Sequence, residues 1–226
     1  MRSFVVYYGH DSDLLPRLKE SRLAILESRG WSDEQLKALT HAGTTVVGYV
    51  SPVAWADWKG PAKWWWGKRE RDEDWNAWWL SLSSPGWRWS LGRACNEILQ
   101  RTDGLFFDNL DRFQIDSESL KPFLTLLGSL RKEWPEAVFI GNRGFSNWSQ
   151  MRADMDGVLF ENLTDKAFSE KDKVWVREQL LDLQGSQVYA LDYTTRFDER
   201  EAEMLRRAHP TMHYYRAPDE SLQSLS

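Results

Sequence analysis

The chain has 226 residues, 42% of them hydrophobic and 28% charged, with a formal net charge of −5. That is enough for one core of the size of an α/β barrel, roughly 200–250 residues, and the slightly acidic balance argues mildly against nucleic acid and anionic membranes as partners, which would call for a basic face. No apolar run reaches the roughly 18 residues that begin to suggest a bilayer-spanning helix, and the single cysteine, Cys95, excludes an intrachain disulfide and a cysteine-paired zinc site.

Eight short apolar runs occur in chain order, at 4–8, 23–26, 46–50, 105–107, 138–140, 158–160, 188–191 and 212–215. They are rich in β-branched, aromatic and leucine side chains, as strands buried on both faces are. The first begins almost at the amino terminus, so residues 1–8 read as a strand and not as a signal peptide. The compartment stays open: secreted if a leader was removed, otherwise cytoplasmic.

Helices are expected between the runs. Ser32 caps one over 33–41, ended by Gly43. Others are expected over 90–101, where Cys95 is a core residue, over 117–133, stopped before Pro135, over 169–183, and over 198–208, stopped before Pro210. Short ones fall at 11–22 and 146–153. Eight strands alternating with helices, with no glycine-rich phosphate loop after the first, predict a (β/α)8 TIM barrel over residues 1–220. Residues 221–226 read as a frayed tail.

One segment breaks the rhythm. Between 52 and 89 lies an insertion after the third strand, and ten of the fourteen tryptophans fall there. Trp75, Trp78 and Trp79 stand at i, i+3 and i+4, which predicts a helical piece. Most of these rings are expected to glue the insertion to the barrel. Trp55 and Trp58, nearest the strand end, are the candidates for stacking on sugar.

In a barrel of this type the active site lies at the carboxyl ends of the strands. Nearly every run delivers a polar or ionisable residue there: Tyr8, Glu27, Ser51, Asp108 with Asn109 and Asp111, Asn142, Glu161, Asp192 and Arg216. Acids abutting buried runs such as Leu105-Phe106-Phe107 and Val158-Leu159-Phe160 are partly desolvated, a setting in which proton transfer is tuned. Two such carboxyl groups are what glycosidic bond cleavage needs, one as acid and one as nucleophile or base. We read Asp108 as nucleophile or base, in the polar setting of Asn109, Asp111 and Asn142 that keeps it ionised. Glu161, between Phe160 and Leu163, is read as the acid. Whether the outcome is retention or inversion is left open. No histidine stands in a triad arrangement, and no metal or other cofactor is implied.

The motifs resemble those of the family 114 glycoside hydrolases, the endo-α-1,4-polygalactosaminidases. Val47-Gly48-Tyr49-Val50-Ser51 is similar to their third strand. Asp103-Gly104-Leu105-Phe106-Phe107-Asp108-Asn109-Leu110-Asp111 resembles their fourth-strand signature, Ile140-Gly141-Asn142 their fifth, and Asp156-Gly157-Val158-Leu159-Phe160-Glu161 their sixth. The order and spacing agree over residues 4–216. The resemblance implies a barrel that cuts galactosamine-containing polymers, with Asp108 and Glu161 as the acidic pair. It also implies Asn109 and Asn142 as ligand-orienting neighbours. Tyr8, Tyr49, Ser51, Asn109, Asp111, Asn142, Asp192 and Arg216, on or just after the strands, are expected to contact the substrate, an oligo- or polysaccharide bound by a monomer.

Pro52-Val53 stands where the family has Gly-Glu. That departure keeps a second reading in view, a carbohydrate-binding barrel without turnover. A deacetylase on the same polymers lacks a nucleophile or metal set, and a structural protein would use the tryptophans to dock a partner chain.

Overall fold

The computed structural model describes residues 2–225. Eight parallel strands form one sheet in the order β1 (Val5–Tyr7), β2 (Leu23–Leu26), β3 (Thr45–Val50), β7 (Gly104–Phe107), β8 (Val138–Asn142), β9 (Gly157–Glu161), β10 (Gln187–Tyr193) and β11 (His213–Ala217). The principal connecting helices are α1 (Leu15–Leu18), α2 (Asp33–Thr40), α3 (Pro85–Leu99), α4 (Ser117–Glu133), α5 (Trp148–Met151), α6 (Glu170–Asp182) and α7 (Glu199–Ala208). This is a (β/α)8 barrel.

The barrel is nearly closed. Its edges are β1 and β11, and aromatic rings bridge the seam between them. Phe4 sits edge-on to Tyr215 at 5.9 Å and to Tyr189 at 5.3 Å. The C-terminal segment, expected to fray, helps to seal this seam. The Tyr8 N–H donates to the Leu222 carbonyl at 2.7 Å, and Leu222 and Leu225 are buried against the interior cluster. Two leucines spaced to reach the barrel give this short tail apolar area to bury, which outweighs fraying.

Alternation along the strands separates two cores. Ile25, Val47, Phe106, Ile140, Leu159, Leu191 and Tyr215 face the barrel interior. Leu105, Phe107, Phe139, Val158 and Phe160 face the helices. Interior space is tight: a Cβ on Gly157 would stand 2.8 Å from the Tyr189 ring. Cys95 is buried on α3, where burial pushes its thiol up to about 12.

After β3 the chain leaves the barrel and builds a separate antiparallel sheet, β4 (Ala54–Ala56), β6 (Ala77–Leu80) and β5 (Lys68–Asp72) in that order. The helical piece expected here is absent. Asp72 accepts from the Trp75 N–H at 3.2 Å and Asn76 takes a left-handed φ of 47°, so the chain turns back and Trp78 and Trp79 lie on a strand. The charged run Lys68-Arg69-Glu70-Arg71-Asp72 forms an outer strand of this sheet, where charge discourages further pairing. α3 starts at Pro85, earlier than expected, because Ser84 caps it and Pro85 occupies the first turn. Trp87 and Trp89 therefore belong to that helix.

Candidate active site

The inward parity that buries Phe106, Ile140 and Leu159 carries two residues further to Asp108, Asn142 and Glu161 at the carboxyl rim. The three side chains meet. The Asn142 amide nitrogen donates to Asp108 Oδ1 at 2.7 Å and to Glu161 Oε2 at 3.0 Å. Two acid oxygens on one nitrogen fix the amide's orientation, since its oxygen would repel both.

Asp108 accepts three further bonds. The Asn109 N–H reaches Oδ1 at 2.8 Å, and the Asn109 side-chain amide reaches Oδ2 at 3.1 Å. The Tyr49 hydroxyl donates to Oδ2 at 2.9 Å. Burial, then the charge of Glu161, raises the Asp108 pKa against these donors. The polar setting was expected to keep this acid ionised, and desolvation opposes it. Three of the four bonds come from N–H groups, which can only donate. A proton on Asp108 would have to sit on Oδ2 and turn the Tyr49 hydroxyl into an acceptor.

Glu161 accepts the Tyr193 hydroxyl at 2.5 Å. Burial, with the negative charge of Glu161, pushes the Tyr193 pKa well up, so it stays a donor. Ser51, buried, accepts from the Asn109 side chain at 3.0 Å and so steadies the group that holds Asp108. Tyr8 packs edge-on to Tyr49 at 5.0 Å. Asp111 lies on the turn after β7, with Arg143 Nη1 at 3.8 Å.

Chain geometry repeats at this rim. Asn109, Arg143 and Asn162, each directly after one of the three converging residues, all have left-handed φ of 62°, 57° and 53°. Asn tolerates that conformation; for Arg143 it costs about 1–2 kcal/mol.

Two expected substrate contacts point elsewhere. The strands β10 and β11 run two residues past the apolar runs, so Tyr193 and Ala217 take the inward positions. Asp192 faces the helices, fully buried, and accepts from the Thr164 N–H and hydroxyl at 2.8 Å each and from the Tyr214 hydroxyl at 2.9 Å. Arg216 turns outward over the Phe197 ring at 4.8 Å. Trp55 is also chiefly packing: its Nε1 donates to the Gly60 carbonyl at 2.8 Å and its ring meets Trp66 at 4.8 Å. Trp58, in contrast, is 63% exposed. Beside it Lys59 reaches into the rim and pairs with buried Glu27 at 3.0 Å. Neither Arg143 nor Lys59 was picked out from the sequence; of the pair Asp192-Tyr193 that follows the seventh run, parity from Leu191 marks Tyr193 as the inward residue.

Among the described residues, no group of three or more His, Cys, Asp or Glu is arranged to hold a metal ion, and no helix is long and apolar enough to cross a membrane.

The model of glycoside-hydrolase family GH114 matches residues 17–216. The chain belongs to this family. It is a glycosidase by that membership. Similar solved structures include the glycoside hydrolase domain of PelA from Pseudomonas aeruginosa, with a TM-score of 0.82 at 21% identity, covering 99% of this chain and 96% of that one. Aspergillus fumigatus Ega3, in complex with galactosamine, has a TM-score of 0.73 at 12% identity, covering 99% and 92%. The GH36 α-galactosidase AgaA from Geobacillus stearothermophilus has 0.60 at 11%, covering 99% and 40%. At these identities the structural likeness is one of fold. No curated protein matches the sequence.

Proposed function

We propose that this GH114 glycosidase hydrolyses a galactosamine-containing polysaccharide with Asp108 and Glu161 as its two acting carboxyl groups. The observation that carries the mechanism is the single Asn142 nitrogen shared by both acids. Their nearest oxygens can stand no farther apart than its two bonds laid end to end. That span falls near the roughly 5–5.5 Å of retaining glycosidases and short of the roughly 6.5–9.5 Å that leaves room for a water between them.

The reaction then runs in two displacements. Asp108, with its carboxylate held as an acceptor by Tyr49, Asn109 and Asn142, attacks the anomeric carbon. Glu161 gives its proton to the leaving glycosidic oxygen. In the second step Glu161 takes a proton from water, and the hydroxide so generated displaces Asp108 from the sugar. The Tyr193 hydroxyl, bonded to Glu161, orients it for both steps.

The polymer assignment rests on the family together with the galactosamine complex formed by the structurally similar Ega3. Trp58 supplies an open indole face for the sugar. Pro52 and Val53 leave the acidic pair undisturbed: the Pro52 carbonyl accepts Trp87 Nε1 at 2.6 Å, the Val53 carbonyl accepts the Leu80 N–H at 2.7 Å, and both anchor the inserted sheet. The test is release of reducing ends from α-1,4-linked galactosamine polymer, acetylated and de-acetylated. Release from either supports the reading, and none from both overturns it.

A further inference from the structure

Lys59 is a lysine almost wholly withdrawn from water at the rim that carries the acidic pair. Its side chain is 7% exposed and that of Glu27 is 3% exposed, with Nζ 3.0 Å from Glu27 Oε2. The ammonium also lies over the Tyr49 ring at 4.4 Å and the Trp58 ring at 4.8 Å. One carboxylate and two aromatic faces are a complete seat for an ammonium group. The same Tyr49 holds Asp108 through its hydroxyl, so the seat is one ring away from the acting carboxylate.

The chain fills this seat with its own cation, and the filling is fixed. Lys59 ends the short turn Asp57–Lys59. Asp57 is paired with Arg71 at 2.7 Å, and the following Gly60, with a φ of 98°, has its carbonyl held by Trp55. Burial lowers the Lys59 pKa, and Glu27 opposes that.

We propose that Lys59 is a specificity-determining residue: its ammonium occupies the cation seat of Glu27, Tyr49 and Trp58, so that the sugar bound beside it is taken in its neutral, N-acetylated form. This rests on the galactosamine reading above and narrows it. A free amino sugar carries its own ammonium. It would have to displace a tethered one, which has the advantage of effective concentration, and would leave a buried charge without its partner. An N-acetyl sugar meets neither obstacle and can stack on the exposed face of Trp58.

The test compares the parent, Lys59→Met and Lys59→Arg, with folding of each checked by its melting curve. Binding of two oligomers of α-1,4-linked galactosamine, one fully N-acetylated and one fully de-acetylated, is measured by calorimetry, and their turnover by reducing-end release. The parent and Lys59→Arg should favour the acetylated oligomer. Lys59→Met, which keeps the stem and removes the charge, should shift the binding ratio towards the de-acetylated oligomer by at least about 10-fold. An unchanged ratio in a folded Lys59→Met overturns the proposal. If Lys59→Met does not fold, Lys59→Arg decides: loss of the acetyl preference with the charge retained overturns it. Absence of turnover with the binding shift intact would overturn the hydrolytic reading alone, and absence of binding by both oligomers would overturn both.

Discussion

The Tyr193 hydroxyl donates to Glu161 Oε1 at 2.5 Å, from the strand next to the one that carries Glu161. This bond orients the Glu161 carboxyl group. Tyr193→Phe removes one hydrogen bond to a carboxylate, worth about 1.5–3 kcal/mol. The expected result is a kcat lowered roughly 10- to 100-fold with KM little changed. Steady-state kinetics decide it; a raised KM with kcat intact would place Tyr193 in binding instead.

The anomeric outcome is a second prediction. Because Asn142 holds both acids on one nitrogen, the first product from an α-linked polymer should be the α-anomer. Proton NMR in the first minutes, before mutarotation, shows which anomer forms first. A β-anomer would mean that water enters between the acids.

Trp55 and Trp58 should separate cleanly. Trp58→Ala should weaken oligosaccharide binding by about 1–2 kcal/mol with the melting temperature close to the parent's. Trp55→Ala opens a hole against Trp66 and Trp87 and should cost about 3 kcal/mol of stability. At roughly 2–4 °C per kcal/mol that is a clear drop in Tm. Calorimetry on both variants checks the pair.

Much of the site was legible because parity does the work. Once 105–107 and 158–160 are strands, Asp108 and Glu161 must share the interior with Phe106 and Leu159. Taking the first residue after each apolar run failed at Asp192 and Arg216, since the runs over 188–191 and 212–215 end on the inward-facing Leu191 and Tyr215, and the next inward positions are Tyr193 and Ala217. The Asp-Gly pairs before β7 and β9 show why a motif is not all chemistry. The Asp103 carboxylate accepts from the Val46 N–H at 2.8 Å and the Asp156 carboxylate from the Phe139 N–H at 2.7 Å, each securing the base of a neighbouring strand. Lys59 left no local signal, because its partner Glu27 is fixed only by how the inserted sheet folds back. The spacing of Trp75, Trp78 and Trp79 misled for a related reason: a hairpin turn at Asn76 interrupts it.

Asp192 should be a stability residue. Asp192→Ala leaves the Thr164 N–H and two hydroxyls without their buried acceptor. A loss of about 3 kcal/mol is expected, read by denaturant unfolding, and a variant as stable as the parent would contradict it.

The raised Asp108 pKa sets a sign for pH dependence. The folded protein holds this proton more tightly than the unfolded chain does. The stabilisation it provides is therefore full below the unfolded-state pKa and is lost as pH rises through the folded-state value. The stability of the parent relative to Asp108→Asn should fall from acid to neutral pH. Melting curves across that range test it, and a rise would mean that the hydrogen bonds outweigh burial.

The most direct test of the two-carboxylate account is the turnover of Asp108→Asn and Glu161→Gln on a galactosamine polymer that the parent cleaves. Reducing-end release should drop at least ~100-fold in each, the lower end of what general acid–base catalysis supplies, while both still bind oligosaccharide. Either variant retaining more than about a tenth of parental turnover, far above that expectation, would show that the acting pair is not Asp108 and Glu161.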